Sequence, residues 1–192
     1  MNKQPEITDK TRQTFINVFC DLYCQKPIEK ISVQEIAKRS GYNRSTFYQY
    51  FTDIYALLDD VETRVMTSIH EEMASREFST DTFQNALQCL ENAEEISMLK
   101  ALLGDYGAVH FIERLKREIP FERLIVQLPA DDALAPYIVE FYISTLLSMF
   151  RLWIRSGKDL SSEQLVQLID SLFANGITSY HIFGMNTPQR SQ

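Results

Sequence analysis

The stretch ISVQEIAKRSGYNRSTFYQYF, residues Ile31 to Phe51, decides the fold at the beginning of the chain. Ser32 stands three residues before Glu35, a spacing typical of a capping box in which each side chain satisfies a backbone N–H at a helix start. Gly41 follows where a helix commonly ends in a left-handed residue. Asn43 is suited to cap a second short helix. The stretch therefore predicts two short helices across a glycine-containing turn, a helix-turn-helix.

The aromatic residues of the second helix, predicted over residues 44–50, separate by face. Phe47 and Phe51 lie four residues apart and share one side, so we expect both in the core. The remaining arc is polar or hydroxyl-bearing and consists of Arg44, Ser45, Tyr48, Gln49 and Tyr50. An exposed arc with arginine at its amino end suits the major groove of DNA, where the first residues of the second helix meet base edges.

Several side chains of this helix have a chemical counterpart in DNA. Arg44 can make a bidentate contact to guanine, and Gln49 can contact adenine or a thymine methyl group. The hydroxyls of Thr46 and Tyr48 suit phosphates, contacts that fix register without reading sequence. The competing interpretations are that Tyr48 and Tyr50 pack against the first helix and that Arg44 forms a surface salt bridge.

The rest of the sequence is also helical in pattern. An apolar stripe at Phe15, Val18, Phe19 and Leu22 predicts a first helix over residues 9–25. Later helices are predicted over 54–74, 81–92, 93–103, 111–126, 137–155 and 162–179. Glycine and proline number only six each, which favours helices over a strand-rich fold. The predicted fold class is all-α with about nine helices, of which the first three form an N-terminal DNA-binding head.

The charge distribution separates this head from the rest of the chain. Residues 1–52 carry eight Lys or Arg against five Asp or Glu, a net charge of +3, whereas the remainder carries −10. A basic segment on an acidic protein points to a polyanionic partner for that segment.

The cysteines and the missing motifs argue against catalysis. Cys20, Cys24 and Cys89 are an odd number, which favours a reducing cytoplasm over a disulfide framework. We expect Cys20 and Cys24 to be small buried hydrophobes, with a thiol switch or a metal pair as the alternative. No zinc-ligand spacing, glycine-rich phosphate loop or G-x-S-x-G is present. We predict no catalytic residue, no metal and no cofactor, and hence not an enzyme.

The longest apolar run, residues 137–154, has nearly the length that crosses a bilayer. Glu140 and Arg151 lie inside it, and each would cost roughly 2.5–3.5 kcal/mol near the centre of a membrane. The run is therefore interpreted as a soluble helix buried on more than one side, and the first ten residues lack the apolar segment of a signal peptide. No membrane partner is predicted.

The segments TRQTFINVF (11–19) and ISVQEIAKRSGYNRSTFYQYFTDIYALL (31–58) closely resemble the DNA-binding domain of TetR-type transcriptional regulators. The resemblance covers about residues 9–60 and includes the Ile36-Ala37-x-x-x-Gly41 spacing and the T-F-Y-x-Y-F run. It implies that the positions facing bases are Asn43, Arg44, Ser45 and Gln49. It implies phosphate contacts at Thr46, Tyr48 and Tyr50, and backbone contacts at Thr11, Ser32 and Val33.

One position departs from this family pattern. Such regulators usually carry lysine near the start of the helix that follows the aromatic run, where this chain has Ile54. A common phosphate contact is therefore missing, and Asp53 beside it would repel phosphate unless it only caps the helix. A lower DNA affinity is the expected consequence.

The C-terminal part resembles one branch of the same family. LLSMFRLWIRSGKDLSSEQLVQLIDSLF (146–173) is similar to a branch that includes regulators of dihydroxyacetone-kinase operons, and the resemblance implies an all-α domain for ligand binding and dimerisation. The predicted boundaries are 1–55 for the head, 56–185 for this domain and 186–192 for a disordered tail. The candidate effector-pocket residues, for which plain core is the competing interpretation, are Tyr106, His110, Phe111, Tyr142, Met149 and Trp153.

The last helix predicts an interface with a second copy. One of its faces is lined by small or aliphatic residues, namely Leu165, Leu168, Ile169, Leu172 and Gly176. Because one chain cannot easily cover this helix and the apolar 137–155 helix together, pairing with a symmetry mate would complete a four-helix bundle. We therefore expect a cytoplasmic homodimer that binds a palindromic DNA operator and responds to an unknown small molecule, most simply as a repressor. The alternative is a co-regulator or activator that acts through a protein partner with little DNA affinity.

Overall fold

A computed structural model of the chain describes residues 5–74, 93–118 and 133–175. Every regular element in these ranges is helical, which confirms the all-α fold class, and a 3-10 turn spans Ile28–Lys30. Within these ranges the eight α-helices are α1 (Pro5–Tyr23), α2 (Val33–Arg39), α3 (Arg44–Phe47), α4 (Ile54–Ala74), α5 (Ala93–Leu102), α6 (Ala108–Glu118), α7 (Ala135–Arg155) and α8 (Ser162–Asn175). The helix predicted over 81–92, the ends of two others and the tail lie outside the described residues.

The head, residues 5–53, is assembled around the aromatic face of α1. Phe15 and Phe19 are fully buried, as the stripe predicted. Phe15 meets Phe47 edge-on with ring centroids 5.4 Å apart, and Phe47 in turn lies 5.5 Å from Phe51. Edge-to-face aromatic pairs add roughly 0.5–1.5 kcal/mol beyond the burial of their area. Phe47 and Phe51 are thus core residues, as expected from their spacing.

The turn between α2 and α3 follows from the backbone freedom of glycine. Gly41 has φ +75°, a conformation that costs other residues roughly 1–2 kcal/mol. The Tyr42 N–H donates to the Ala37 carbonyl at 2.9 Å and the Gly41 N–H to the Lys38 carbonyl at 3.3 Å. These two bonds form a Schellman motif, which ends α2 and turns the chain into α3.

Two local predictions in this region need correction. The α-helix predicted over 44–50 covers only Arg44–Phe47, because the chain tightens into bonds such as that from the Tyr50 N–H to the Phe47 carbonyl. The capping box of α2 is only half formed. Ser32 accepts from the Glu35 N–H at 3.2 Å, but the Glu35 carboxylate pairs with Lys26 at 2.5 Å and with Arg39 at 3.2 Å. Two cations compete successfully for a side chain that the box would direct at the backbone.

Helix α4 connects the head to the remainder of the chain, the body. Asp53 caps it, since its carboxylate accepts the Ala56 N–H at 2.8 Å. Leu57, Val61 and Val65 are buried in one apolar cluster that contains Phe15 of the head as well as Phe111 of the body. The boundary predicted after residue 55 therefore falls in the first turn of a continuous helix whose core residues serve both parts.

In the body, helix ends and turns are fixed by local features of the sequence. Ser161 and Gln164 form a complete capping box at the start of α8, with bonds of 2.9 and 3.1 Å. Gly157, at φ +74°, ends α7 in a second Schellman motif. A Cβ at Gly107 would stand 2.7 Å from the Leu102 carbonyl oxygen, so only glycine lets this loop lie against the end of α5.

Helix α7 is long and apolar enough to cross a membrane by length and composition, with mean hydropathy 1.3 over Pro136–Arg155, but the core helices of other proteins pass the same test. The two charges within it have partners. Glu140 accepts from Lys116 of α6 at 2.7 Å, and hydrogen bonds from Lys116 and Ser144 lower its pKa. Arg151 lies 3.6 Å from Asp105. One face of α7 is nevertheless exposed, contrary to the expectation that it is buried on more than one side.

Candidate nucleic-acid interface

Asn43 organises the start of the predicted reading helix. Its Oδ1 atom accepts three hydrogen bonds, from the Thr46 N–H at 2.8 Å, the Thr46 hydroxyl at 2.9 Å and the Ser45 hydroxyl at 2.6 Å. The predicted cap is thereby confirmed. In the free protein the hydroxyl protons of Ser45 and Thr46 are committed to this cap, although both residues were predicted to contact DNA.

Arg44 and Tyr48 form a pair on the exposed side of α3. The Arg44 Nη2 atom donates to the Tyr48 Oη at 3.3 Å, and the guanidinium carbon lies 5.9 Å from the centre of the tyrosine ring. Tyr48 is 49% exposed. Among the described residues the arginine therefore contacts a tyrosine four residues later, at the C-cap of α3, rather than the carboxylate that the salt-bridge interpretation requires.

Three other predicted contact residues differ in exposure. Gln49 and Ser32 are exposed, and Val33 is half-buried against the core. Ser32 and Val33 mark the start of α2, where backbone N–H groups not used inside the helix are suited to an anion.

Two predicted contact residues take part in packing. Thr11 is 5% exposed and donates to the Tyr42 hydroxyl at 3.3 Å. Tyr50 is half-buried with its ring 6.0 Å from Phe15, which matches the competing interpretation that it packs against the first helix. Sequence reasoning missed Tyr42, which is exposed at the surface while its ring packs 5.3 Å from Phe15. Its place directly after the turn glycine Gly41 was the sequence signal that could have identified Tyr42 as part of this surface.

Ion pairs hold α1 on α4 behind this surface. Arg12 pairs with Asp60, and its guanidinium also lies 5.7 Å from the Phe51 ring. Arg64 bonds to Asp60 at 3.1 Å and to Gln13 at 3.2 Å. A solvent-open cleft of about 600 Å³ between the two helices is lined by Asp9, Lys10, Gln13, Thr14, Asn17 and Arg64.

The six candidate pocket residues make separate contacts. Phe111 and Trp153 are buried core residues, and Met149 packs against the same cluster. The Trp153 indole N–H donates to the Leu160 carbonyl at 2.8 Å. Tyr142 stacks on Phe173 with ring centroids 4.1 Å apart. The cleft described above contains none of these residues.

The other two candidates lie at or just before the start of α6. Tyr106 is exposed, and its carbonyl accepts from the Tyr23 hydroxyl at 3.2 Å. The His110 Nδ1 atom lies 2.8 Å from the carboxylate of Glu62, which is 2% exposed. Arg114 binds the other Glu62 oxygen at 3.1 Å. Burial alone would lower the pKa of Arg114, but its hydrogen bonds to Glu62 and Glu118 outweigh burial and raise the pKa.

The predicted dimer face of α8 is partly used inside the protomer. Leu165 and Ile169 are 3% and 0% exposed, so they retain almost no surface for a partner. Leu168 and Leu172 are half-buried, and Gly176 lies outside the described residues. The large apolar side chains that are exposed on the neighbouring α7 are Tyr137, Ile138, Phe141 and Leu152.

Cys20 of α1 and Cys24, which follows the end of that helix, are packed and unsuited to chemistry. Burial raises the pKa of Cys20 to about 12, with a smaller contribution from Cys24. The pKa of Cys24 is also raised by burial. A thiol that stays protonated at neutral pH is a poor nucleophile and a poor metal ligand. Among the residues the structure describes, no group of three His, Cys, Asp or Glu is arranged to hold a metal ion.

The fold and the surface of the head together define a helix-turn-helix DNA-binding protein. Residues 20–61 match the family model of the bacterial regulatory proteins of the tetR family, and this match supports a DNA-binding transcriptional regulator. The matched segment begins within α1 and ends within α4. A comparison with curated proteins found no match.

Proposed function

We propose that this protein is a ligand-responsive repressor that binds a palindromic operator in double-stranded DNA as a homodimer. The observation that carries the proposal is the exposed position of Arg44 in the first turn of the capped helix α3. The first residues of this helix in a helix-turn-helix enter the major groove. Two heads of a dimer would place their α3 helices about one DNA turn apart, roughly 34–36 Å or a little more.

Base contacts are assigned to Arg44 and Gln49, with Asn43 and Ser45 beside them. Arg44 would bind the O6 and N7 atoms of guanine, a contact worth roughly 1–3 kcal/mol of discrimination. Asn43 uses its Oδ1 as the cap, which leaves its amide nitrogen to meet a base. Ser45 would have to rotate its hydroxyl away from Asn43 before donating to one.

Phosphate contacts are assigned to Thr46 and Tyr48, and to the start of α2 at Ser32 and Val33. Phosphate oxygens only accept hydrogen bonds, so the Thr46 hydroxyl must leave Asn43 to contribute. The packed positions of Thr11 and Tyr50 leave less of their surface for DNA. Their backbone contacts stay predictions that rest on the family resemblance.

The start of α4 adds little to phosphate binding in this chain. Ile54 packs against the core, and Asp53 spends one carboxylate oxygen on the α4 N-terminus. Capping accounts for this aspartate without any contact to DNA. We therefore expect a DNA affinity carried by fewer charged contacts, and a correspondingly shallow dependence on salt.

The dimer interface is assigned to the exposed face of α7 together with the outer side of α8. Exposed positions three or four residues apart form a stripe along one side of this helix. They are Tyr137, Phe141, Ser144, Ser148 and Leu152. Exposed apolar stripes of this kind mark interaction surfaces. Leu168 and Leu172 on α8 would flank the stripe, and a second copy would complete the four-helix bundle.

The effector response would travel through α4. Helix α1 holds α4 at Asp60, and α6 holds it at Glu62, so a ligand that moves α6 would move the helix on which the head is mounted. This is a population shift between two dimer shapes and requires different ligand affinities for them. Repression is the default direction because a bound dimer blocks polymerase. The same proposal includes a cytoplasmic location and membership of the branch that includes regulators of dihydroxyacetone-kinase operons.

A gel-shift assay with DNA from upstream of the gene tests the proposal. Wild-type protein should shift this DNA in the presence of excess unrelated duplex, and Arg44→Ala should abolish the preference. Arg117→Ala, at an exposed site on α6, is the matched control and should bind like the wild type. If the wild type shifts no DNA even at low salt, where phosphate contacts are strongest, the co-regulator alternative replaces the repressor.

A further inference from the structure

The side chain of Tyr48 holds the side chain of Arg44, and this relationship extends the DNA-binding function proposed above. The Arg44 Nη2 atom donates to the Tyr48 Oη at 3.3 Å, while the guanidinium carbon lies 5.9 Å from the ring centre. The tyrosine thus restrains the arginine by a directional bond and by its ring. An arginine over an aromatic face is attracted by the ring quadrupole.

The tyrosine ring is itself fixed to the core of the head. It meets the Phe47 ring at 87° with centroids 5.7 Å apart, and Phe47 is fully buried against Phe15. A continuous series of ring contacts therefore runs from α1 through Phe47 and Tyr48 to the Arg44 guanidinium. Long arginine side chains lose much rotamer freedom on binding, and a pre-oriented one loses less.

The hydroxyl donors next to Arg44 are used inside the protein, whereas the Arg44 guanidinium carries several N–H donors. Ser45 and Thr46 donate their hydroxyl protons to Asn43, so they act first as parts of the cap. Arg44 carries a fork of N–H donors that matches the paired acceptors of guanine. The orientation of this fork then decides how well one base pair is discriminated.

We propose that Tyr48 is a positioning residue for Arg44 and sets base discrimination through it, in addition to any phosphate contact of its own. Tyr48 accepts a hydrogen bond from Arg44 and keeps its phenol proton, so a bond to phosphate remains compatible with this role. The two roles have different signatures. A phosphate contact changes affinity for all sequences alike, whereas a positioning role changes the preference at the base pair that Arg44 contacts.

The test measures base preference with full-length protein and double-stranded DNA recovered by selection from a random library. Binding by fluorescence anisotropy is compared for this site and for its single-base variants. Arg44→Ala should identify the base pair it contacts by removing roughly 5- to 150-fold of discrimination there. Tyr48→Ala should lower discrimination at that same pair by several-fold, and Tyr48→Phe, which keeps the ring, should fall between Tyr48→Ala and the wild type.

A double-mutant cycle separates positioning from a general contact. In the Arg44→Ala background, Tyr48→Ala should leave base preference unchanged, because the residue it orients is gone. Equal loss of affinity on every DNA variant would overturn the proposal and leave Tyr48 as a phosphate contact, provided circular dichroism shows folded variants. Unchanged discrimination in Tyr48→Ala would overturn it too. A wild type with no base preference would instead contradict the proposed DNA-binding function itself.

Discussion

The Arg114 guanidinium of α6 donates a 3.1 Å hydrogen bond to the carboxylate of Glu62, which α4 places in the interior. Arg114 also bonds to Asp59 at 3.2 Å and to the Thr63 hydroxyl at 3.1 Å. The Arg114 side chain therefore forms hydrogen bonds to three residues of α4, the helix that joins the head and the body. A buried carboxylate requires such partners, because an unpaired buried charge is costly.

Removal of this partner should destabilise the fold. Arg114→Met leaves the Glu62 charge buried beside His110 alone, and the free energy of unfolding should fall by roughly 3–5 kcal/mol in urea denaturation. The exposed neighbour Arg117 is the control, and Arg117→Met should change stability by less than about 0.5 kcal/mol. The double variant Glu62→Met with Arg114→Met should recover most of the loss. An Arg114→Met variant as stable as the wild type would contradict the assigned role of the bond.

The turn glycine provides a second measurement. Gly41→Ala should cost roughly 1–2 kcal/mol of folding free energy, because alanine tolerates φ +75° poorly. A Cβ there would meet nothing within 4 Å, so the backbone conformation alone sets the cost. Gly157→Ala, at φ +74° with equally open space, is the matched comparison and should cost the same. Unequal losses by chemical denaturation would show that packing, not φ, determines the effect at one of the turns.

Cys20 should make folding stability depend on alkaline pH. Its pKa is raised by burial from 9.0 to about 12, so the folded state holds the thiol proton after the unfolded state has released it. The stabilisation is complete below pH 9 and is lost as pH rises towards 12. Between pH 9 and pH 12 the free energy of unfolding should fall less steeply with pH in Cys20→Ala than in the wild type, by up to about 1.4 kcal/mol per pH unit. Identical slopes for the two proteins in urea titrations would contradict this assignment.

The exposed face of α7 should control self-association. Phe141 is 64% exposed in the protomer, so Phe141→Glu should leave the fold intact and convert a dimer into a monomer in light scattering. Val109→Glu introduces the same charge at a position that is 81% exposed on α6, and it should remain dimeric. Retention of the dimer by Phe141→Glu would place the interface elsewhere.

The sequence predicted the parts of this fold that depend on near neighbours. Asn43 as a cap and the left-handed Gly41 both follow from residues within four positions of one another. The buried face of α1 followed from helical periodicity, because any amphipathic helix in a small protein buries its apolar side.

Other features depended on contacts between distant segments. The Glu35 carboxylate left its capping position because Lys26, nine residues away, came within 2.5 Å. The α8 stripe gave no sign that Leu165 and Ile169 would be covered within the protomer while α7 exposed its own face. The bond between Glu62 and Arg114 spans 52 positions, and no periodicity pairs two such residues. Whether a pocket candidate would join the core cluster, as Phe111, Trp153 and Met149 do, depended on contacts of the same kind.

The measurement that tests the central claim most directly is selection of DNA sites from a random double-stranded library by the full-length protein. We predict enrichment of an inverted repeat whose half-site centres lie about one helical turn apart or slightly more. Insertion of five base pairs between the half-sites should then weaken binding strongly, since it rotates one half-site to the opposite side of the duplex. Recovery of no common sequence, or binding that ignores the insertion, would contradict recognition of a palindrome by two joined heads.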